Sequence, residues 1–266
     1  MAGRGSRFQA VAAKNPEFQK PKPLITVQGL PMIVWAVKSL PFIDFLHNPA
    51  KTSFVVRPKD LTFICLEEHE EKFKIISVLQ SLFSKDISIV LIPEVTRGAT
   101  ETALTAKVYI AENEPLIISD SDHFFIGTPY YKTIEKMGSK VAGIIPVFKP
   151  PDDDPKWSFT LFDGTKRALA VGEKDATLAK LGAYANIGAY YFSKGNIFID
   201  EAEAMIREND MYGATGKQEF YIAPIYQRLI KKGFGVQAAI IEKVWGLGTP
   251  SDLEFFLAHY HPAKSS

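Results

Sequence analysis

The chain has 266 residues, 46% of them apolar and 23% charged, with a formal net charge of +1. These values describe a globular chain long enough to bury one large core. They exclude a basic nucleic-acid reader, and no apolar run is long enough to span a bilayer or resembles a secretory signal. The expected compartment is the cytoplasm, with neither nucleic acid nor membrane as a partner.

The chain opens on Met1-Ala2-Gly3-Arg4-Gly5-Ser6-Arg7-Phe8, followed by Pro21-Lys22-Pro23. Two glycines let a backbone bring its N–H groups against a polyanion, and arginine and lysine add positive charge. Such a phosphate loop normally follows a buried strand, and no such strand is written ahead of Met1. The loop is therefore expected to fray, with reduced stability and activity for the chain as it stands.

Phe54 to Arg57 and Leu61 to Leu66 read as strands, Glu67 to Phe83 as a helix, and Ile87 to Ile92 as a strand. Thr100 to Ala111 reads as a helix and Pro115 to Ser119 as a buried strand. This alternation predicts an α/β domain with a mixed, mostly parallel sheet, whose ligands gather at the carboxyl ends of its strands. Cys65, the single cysteine, falls in an apolar run and reads as a buried, inert thiol.

Val141 to Val147 then reads as a strand. Trp157 to Phe162 and Lys166 to Val171 form a hairpin around Asp163-Gly164. Residues 141–185 are expected as a β-rich insertion over the site, with Asp152-Asp153-Asp154 as a solvated turn. Ala189 to Phe192 is a strand, Ile197 to Arg207 and Glu219 to Lys232 are helices, Val236 to Ile241 is a strand, and Pro250 to His259 is a final helix. The reading is one domain over residues 1–262 with a tail at 263–266.

The second chemical signal is Ser119-Asp120-Ser121-Asp122-His123 after an apolar strand. A D-x-D at a sheet's carboxyl edge offers the oxygen ligands that a hard cation such as Mg²⁺ takes together with nucleotide phosphates. Val171-Gly172-Glu173-Lys174 sets a carboxylate beside an ammonium; spacing alone favours an exposed turn. Gly188, inside the Asn186 to Phe192 stretch, implies that something approaches the backbone closely. Tyr190 and Tyr191 read as core aromatics. The histidines at 47, 69, 123, 259 and 261 lack zinc-ligand spacing, and no serine-hydrolase elbow is present.

M-A-G-x-G-S-R-F, with P-K-P-L-I at Pro21 to Ile25 and P-M-I at Pro31 to Ile33, resembles the sugar-phosphate nucleotidyltransferases. The glucose-1-phosphate thymidylyltransferase-like enzymes of surface-polysaccharide biosynthesis are the members it looks most like. The resemblance continues through Gly98 and Thr102, Ser119 to Phe124, Asn186 to Phe192, Glu219 to Pro224 and Leu247 to Pro250. It implies a Rossmann-like three-layer fold of the glycosyltransferase-A type. It also implies a Mg²⁺-dependent reaction of a nucleoside triphosphate with a sugar-1-phosphate.

By that resemblance, Gly3, Gly5, Ser6, Gly98 and Thr102 would hold the nucleotide, and Arg7 and Lys22 would stabilise the departing pyrophosphate. Asp122, helped by Asp120, would hold the metal, while Glu173, Lys174 and Gly188 would hold the sugar phosphate. Leu247 stands where related enzymes place a second metal-binding aspartate. Ile92-Pro93-Glu94 replaces their nucleotide-loop glutamine, so base preference does not carry over. Oligomeric state is left open. The alternatives are a glycosyltransferase of the same fold, a cytidylyltransferase acting on a non-sugar phosphate, and a nucleotide-sensing homologue.

Overall fold

The structure is a computed structural model that describes residues 1–3, 5–40 and 56–261. The strand expected at Phe54 to Arg57 begins outside the described residues, as does the 263–266 tail. The first residues lead into a single helical turn, α1 (Ser6–Gln9), then a small hairpin of β1 (Thr26–Val27) and β2 (Leu30–Pro31). Helix α2 (Met32–Lys38) reads M-I-V-W-A-V before its lysine, apolar on every side, and Met32 through Val37 are all buried.

Strand β3 (Thr62–Leu66) runs parallel to β4 (Ser88–Ile92), with Thr62 opposite Ser88 and Leu66 opposite Ile92. The single helix expected between them is two, α3 (Glu67–Phe73) and α4 (Ile75–Leu82). Lys74 adopts a left-handed conformation (φ 52°) that ends the first, and the Glu70 carboxylate accepts the Ile76 N–H at the start of the second. Helix α5 (Ala99–Leu104) stops well short of Ala111, and a 3₁₀ turn over Lys107–Tyr109 takes its place. Thr105 donates its hydroxyl to the Thr102 carbonyl there, the kind of local bond that competes with helix continuation.

Strands β5 (Leu116–Ser119) and β6 (His123–Phe125) flank the D-x-D turn, and α6 (Thr128–Met137) follows. Strand β7 (Gly143–Phe148) precedes the hairpin of β8 (Ser158–Phe162) and β9 (Ala168–Glu173). Then come α7 (Ala176–Lys180), β10 (Tyr184–Asn186), β11 (Ala189–Phe192) and α8 (Gly195–Arg207). Helix α9 (Ala223–Lys231) starts later than expected, because Glu219 and Phe220 make strand-like bonds to Tyr212 and Arg97. Strands β12 (Val236–Ile240) and β13 (Val244–Gly246) and helix α10 (Pro250–His259) complete the chain.

Seven strands form one mixed sheet in the order β5-β11-β7-β10-β8-β9, with β12 on the other edge of β7. The expected mostly parallel character is not what the described pairings give. Within this sheet only β12 and β7 run parallel, and every other pair is antiparallel. Connection length explains part of the difference: the tight Asp163–Gly164 turn that joins β8 to β9 cannot supply the crossover that a parallel neighbour needs. Strand β7 is the hub of this sheet, and β8–β9 extend it.

Both faces of the sheet are covered by helices. Ile144 and Tyr191 pack on the side of α2, α4 and α6, whereas Ile145, Val147, Tyr190 and Phe192 pack on the side of α8 and α9. That two-residue alternation makes three layers, and it places both tyrosines in the core as read from sequence. A separate aromatic cluster of Trp35, Phe124, Trp245, Phe256 and Tyr260 fastens α10 to the β6–β13 pair. Cys65 is fully buried, and burial pushes its thiol up to about 11.

Candidate active site

The carboxyl ends of β3, β4 and β5 converge on the first residues of the chain. Ala2 packs on Leu66 and Ile92, the last residues of β3 and β4. The Met1 amino group is enclosed by protein, which lowers its pKa, in the fields of Cys65 and Asp120. A cleft of about 860 Å³ opens here, and its lining includes Gly3, Lys22, Gly98, Thr102, Asp120 and Asp122. This is the edge at which ligands of open α/β sheets collect.

Lys22, on a 3₁₀ turn held by flanking prolines, donates from Nζ to Asp122 Oδ2 at 2.6 Å across the cleft. Burial is the largest influence on Asp122 and opposes its ionisation, but the charge and hydrogen bond of Lys22, with His123 and the Met1 amine, together outweigh it and hold the carboxyl below the usual range. Asp120 is the opposite case. Its carboxylate is open to the cleft yet crowded by the surrounding site and faces the Asp122 charge, and both effects raise its pKa. One aspartate is thus kept ionised while its neighbour resists ionisation, as expected of two close carboxylates.

The glycine at 188 has a physical reason. A Cβ built there would lie 1.9 Å from Asp120 Oδ2, and the Asp120 N–H donates to the Gly188 carbonyl at 2.6 Å. The group that approaches closely is therefore Asp120. The Leu247 N–H donates to the Asp122 carbonyl at 2.8 Å while its side chain is wholly buried, so this position anchors the aspartate through its backbone.

Gly98 has a φ of 150°, and a Cβ there would meet the Phe220 nitrogen at 2.4 Å. Phe220 donates its N–H to the Arg97 carbonyl and accepts from Thr100, so the Glu219–Pro224 stretch clamps the loop before α5. Thr102 is tied inward, its hydroxyl 2.6 Å from that of Thr96 and 3.1 Å from the Gly98 carbonyl. Gly5 is left-handed (φ 64°) beside Lys22, and Ser6 and Arg7 are exposed on α1; none of the three lines the cleft.

Glu173 ends β9 and Lys174 follows it. Burial pushes Glu173 up to about 7, against the opposing pull of Lys174 and a hydrogen bond from Ser158. Glu173 lies within the field of Asp120, and Tyr190 feels both. Lys174 is exposed and donates to the Tyr221 hydroxyl at 2.6 Å. The exposed-turn reading that spacing favoured therefore fits Lys174 and fails for Glu173. Tyr221 lies in the Glu219–Pro224 motif, and nothing local in the sequence marks it as the partner of Lys174.

His123 has no ligand spacing to the other histidines in the sequence. It is buried, its Nε2 has no hydrogen-bond partner among the described residues, and burial lowers its pKa to about 4. Asp120, Asp122 and His123 each offer a ligand atom, all within 4.8 Å of one another. A donor set of two carboxylates and one imidazole fits a divalent cation.

No family model and no curated protein matches the chain. Solved structures do. A nucleoside-diphosphate-sugar pyrophosphorylase from Vibrio cholerae superposes with a TM-score of 0.74 at 22% identity, covering 97% of this chain and 98% of that one. A Bacillus anthracis protein assigned as a glucose-1-phosphate thymidylyltransferase, bound to sucrose, gives 0.68 at 20% identity, covering 97% and 91%. The chain has the fold of the sugar-phosphate nucleotidyltransferases. The inositol-1-phosphate CTP transferase of T. maritima shares that nucleotidyltransferase fold, at a TM-score of 0.61 and 16% identity, covering 94% and 88%. Among the described residues, no helix of this nucleotidyltransferase fold is long and apolar enough to cross a membrane.

Proposed function

We propose that the protein transfers a nucleotidyl group from a nucleoside triphosphate to a sugar-1-phosphate. A phosphate oxygen of the sugar attacks the α-phosphorus, the bond from that phosphorus to the bridging oxygen breaks, and pyrophosphate leaves with the electron pair. The observation that carries this reading is the Lys22–Asp122 contact beside Asp120, in a cleft whose lining also includes Gly3 and Gly98. A site of this kind needs positioned charge and no protein nucleophile, which suits a chain whose cysteine is buried.

In this reading Gly3, Gly5 and Ser6 present backbone N–H groups to the triphosphate, and Gly98 and Thr102 shape the base and ribose side. Lys22 swings from Asp122 to the phosphates when the nucleotide enters, and Arg7 folds in from the surface to meet the departing pyrophosphate. Glu173, Lys174 and the Gly188 backbone take the sugar phosphate, with Gly188 also giving the Asp120 carboxylate its place. Asp122 and Asp120 hold Mg²⁺, which when bound neutralises phosphate charge and polarises the α-phosphorus. The product would feed surface-polysaccharide synthesis in the cytoplasm, with residues 1–262 acting as one catalytic domain.

The experiment is pyrophosphate release from each nucleoside triphosphate with Mg²⁺ and a panel of sugar-1-phosphates. Release should require both substrates and should fall by at least ~100-fold in Lys22→Ala, as expected when one charge-stabilising group is lost. A folded protein that releases no pyrophosphate with any pair would sink the reading. A glycosyltransferase would instead release a nucleoside diphosphate from a nucleotide sugar. Likeness to the inositol-1-phosphate enzyme favours a second acceptor class, a polyol phosphate, so inositol-1-phosphate belongs in the same panel.

A further inference from the structure

We propose that His123 is a third protein ligand of the cation held by Asp120 and Asp122, so that the site prefers a borderline transition ion to Mg²⁺. This rests on the metal half of the function proposed above and extends it to the choice of ion.

The two aspartates alone would say little, since close carboxylates are common without a metal. The second observation is the imidazole. His123 is 7% exposed, and its Nε2 is buried with no hydrogen-bond partner among the described residues. A buried polar atom without a partner is destabilising, and such an atom calls for a specific explanation. The ring has little freedom to find a partner elsewhere. Its backbone is paired with Gly246 across the β6–β13 ladder, and its ring packs on Phe125 at 5.4 Å between centroids.

The imidazole nevertheless offers a nitrogen within 4.8 Å of oxygens on both aspartates, and no hydrogen bond joins it to either. Ligands held at about 2.0–2.2 Å from one ion lie roughly 3–4 Å apart, so a modest closing motion brings all three into one coordination sphere. Lys22 occupies only Oδ2 of Asp122, which leaves Oδ1 available for the ion. Oxygen-only sets suit Mg²⁺, whereas an imidazole raises affinity along the first-row transition series. The cue in the sequence is that His123 directly follows the D-x-D pair.

The test uses the whole chain freed of metal and titrated with Co²⁺ and separately with Mg²⁺. Visible absorption reports the cobalt coordination sphere and calorimetry reports affinity. The wild type should bind Co²⁺ with a nitrogen-containing d–d spectrum. In His123→Ala that spectrum should change and Co²⁺ affinity should drop by about 10–100-fold, with Mg²⁺ affinity changed by less than about threefold. His123→Asn, closer in shape, guards against a fold defect, and thermal melting of both variants checks it directly. Equal losses for the two ions, an unchanged cobalt spectrum, or no Co²⁺ binding by folded wild type would each overturn the proposal. Pyrophosphate release separates the two claims. Histidine-dependent cobalt binding without release would leave the metal site standing and remove the reaction, while release with a histidine-independent metal would do the reverse.

Discussion

Gly188 shows how one missing Cβ positions a carboxylate. With 1.9 Å between the built Cβ and Asp120 Oδ2, Gly188→Ala must push the carboxylate aside. Overpacking of this kind typically costs about 1–3 kcal/mol. Melting temperature should fall accordingly, and Mg²⁺ affinity measured by calorimetry should fall with it. A variant that melts lower yet binds Mg²⁺ as before would show that the glycine serves packing alone. Glu173 supplies a second test at this scale. Its pKa rises from 4.5 to about 7 on folding, so the native state binds more protons than the unfolded chain between those values. Stability should therefore decline as pH rises through that window and level off above it. Urea unfolding across the window should give a shallower decline for Glu173→Gln, and identical slopes would mean that the carboxyl titrates normally.

At the scale of elements, the helix expected from Glu67 to Phe83 is broken at Lys74, a non-glycine residue at φ 52°. Left-handed backbone costs an L-residue about 1–2 kcal/mol, and glycine's greater flexibility when unfolded returns part of any gain. Lys74→Gly should therefore stabilise the protein by up to ~1 kcal/mol in urea unfolding; a loss would mean that the lysine side chain holds the junction. Nothing in E-E-K-F-K-I-I marks that break, because apolar periodicity continues across it. The turns at Asp163–Gly164 and Thr249–Pro250 were legible because turn and cap chemistry is local. Strand direction was not, since it depends on which distant edges pair. Site residues separated along the same line. D-x-D and Lys22 carry their charge in the sequence, whereas the Phe220 clamp on Gly98 and the burial of Glu173 arise only when remote segments meet.

Across the whole molecule, β3 and β5 face one cleft with unequal partners. Among the described residues β3 pairs only with β4, and β5 only with β11, so each presents an edge without a strand beside it. Thr62, Phe63 and Ile64 line the cleft from one side and Leu116, Ile117 and Ile118 from the other, with the enclosed Met1 amine at their carboxyl ends. The space between these two edges is wide enough to take one extended apolar strand. Burying a Val or Ile side chain contributes roughly 1.5–3 kcal/mol, against about 1.5 kcal/mol to order each residue. Such a strand would also join two unpaired edges and replace a buried ammonium with a peptide bond, both favourable. A Val/Ile extension of about five residues fused ahead of Met1, the usual strand length, should therefore raise stability by a few kcal/mol. At roughly 2–4 °C per kcal/mol, the melting temperature should climb by 5 °C or more. A same-length Ser/Asp extension provides the comparison, because it removes the terminal ammonium without filling the slot. If the two extensions melt together, the cleft between β3 and β5 belongs to the nucleotide alone, and the loop's anchorage comes from Ala2 on Leu66 and Ile92.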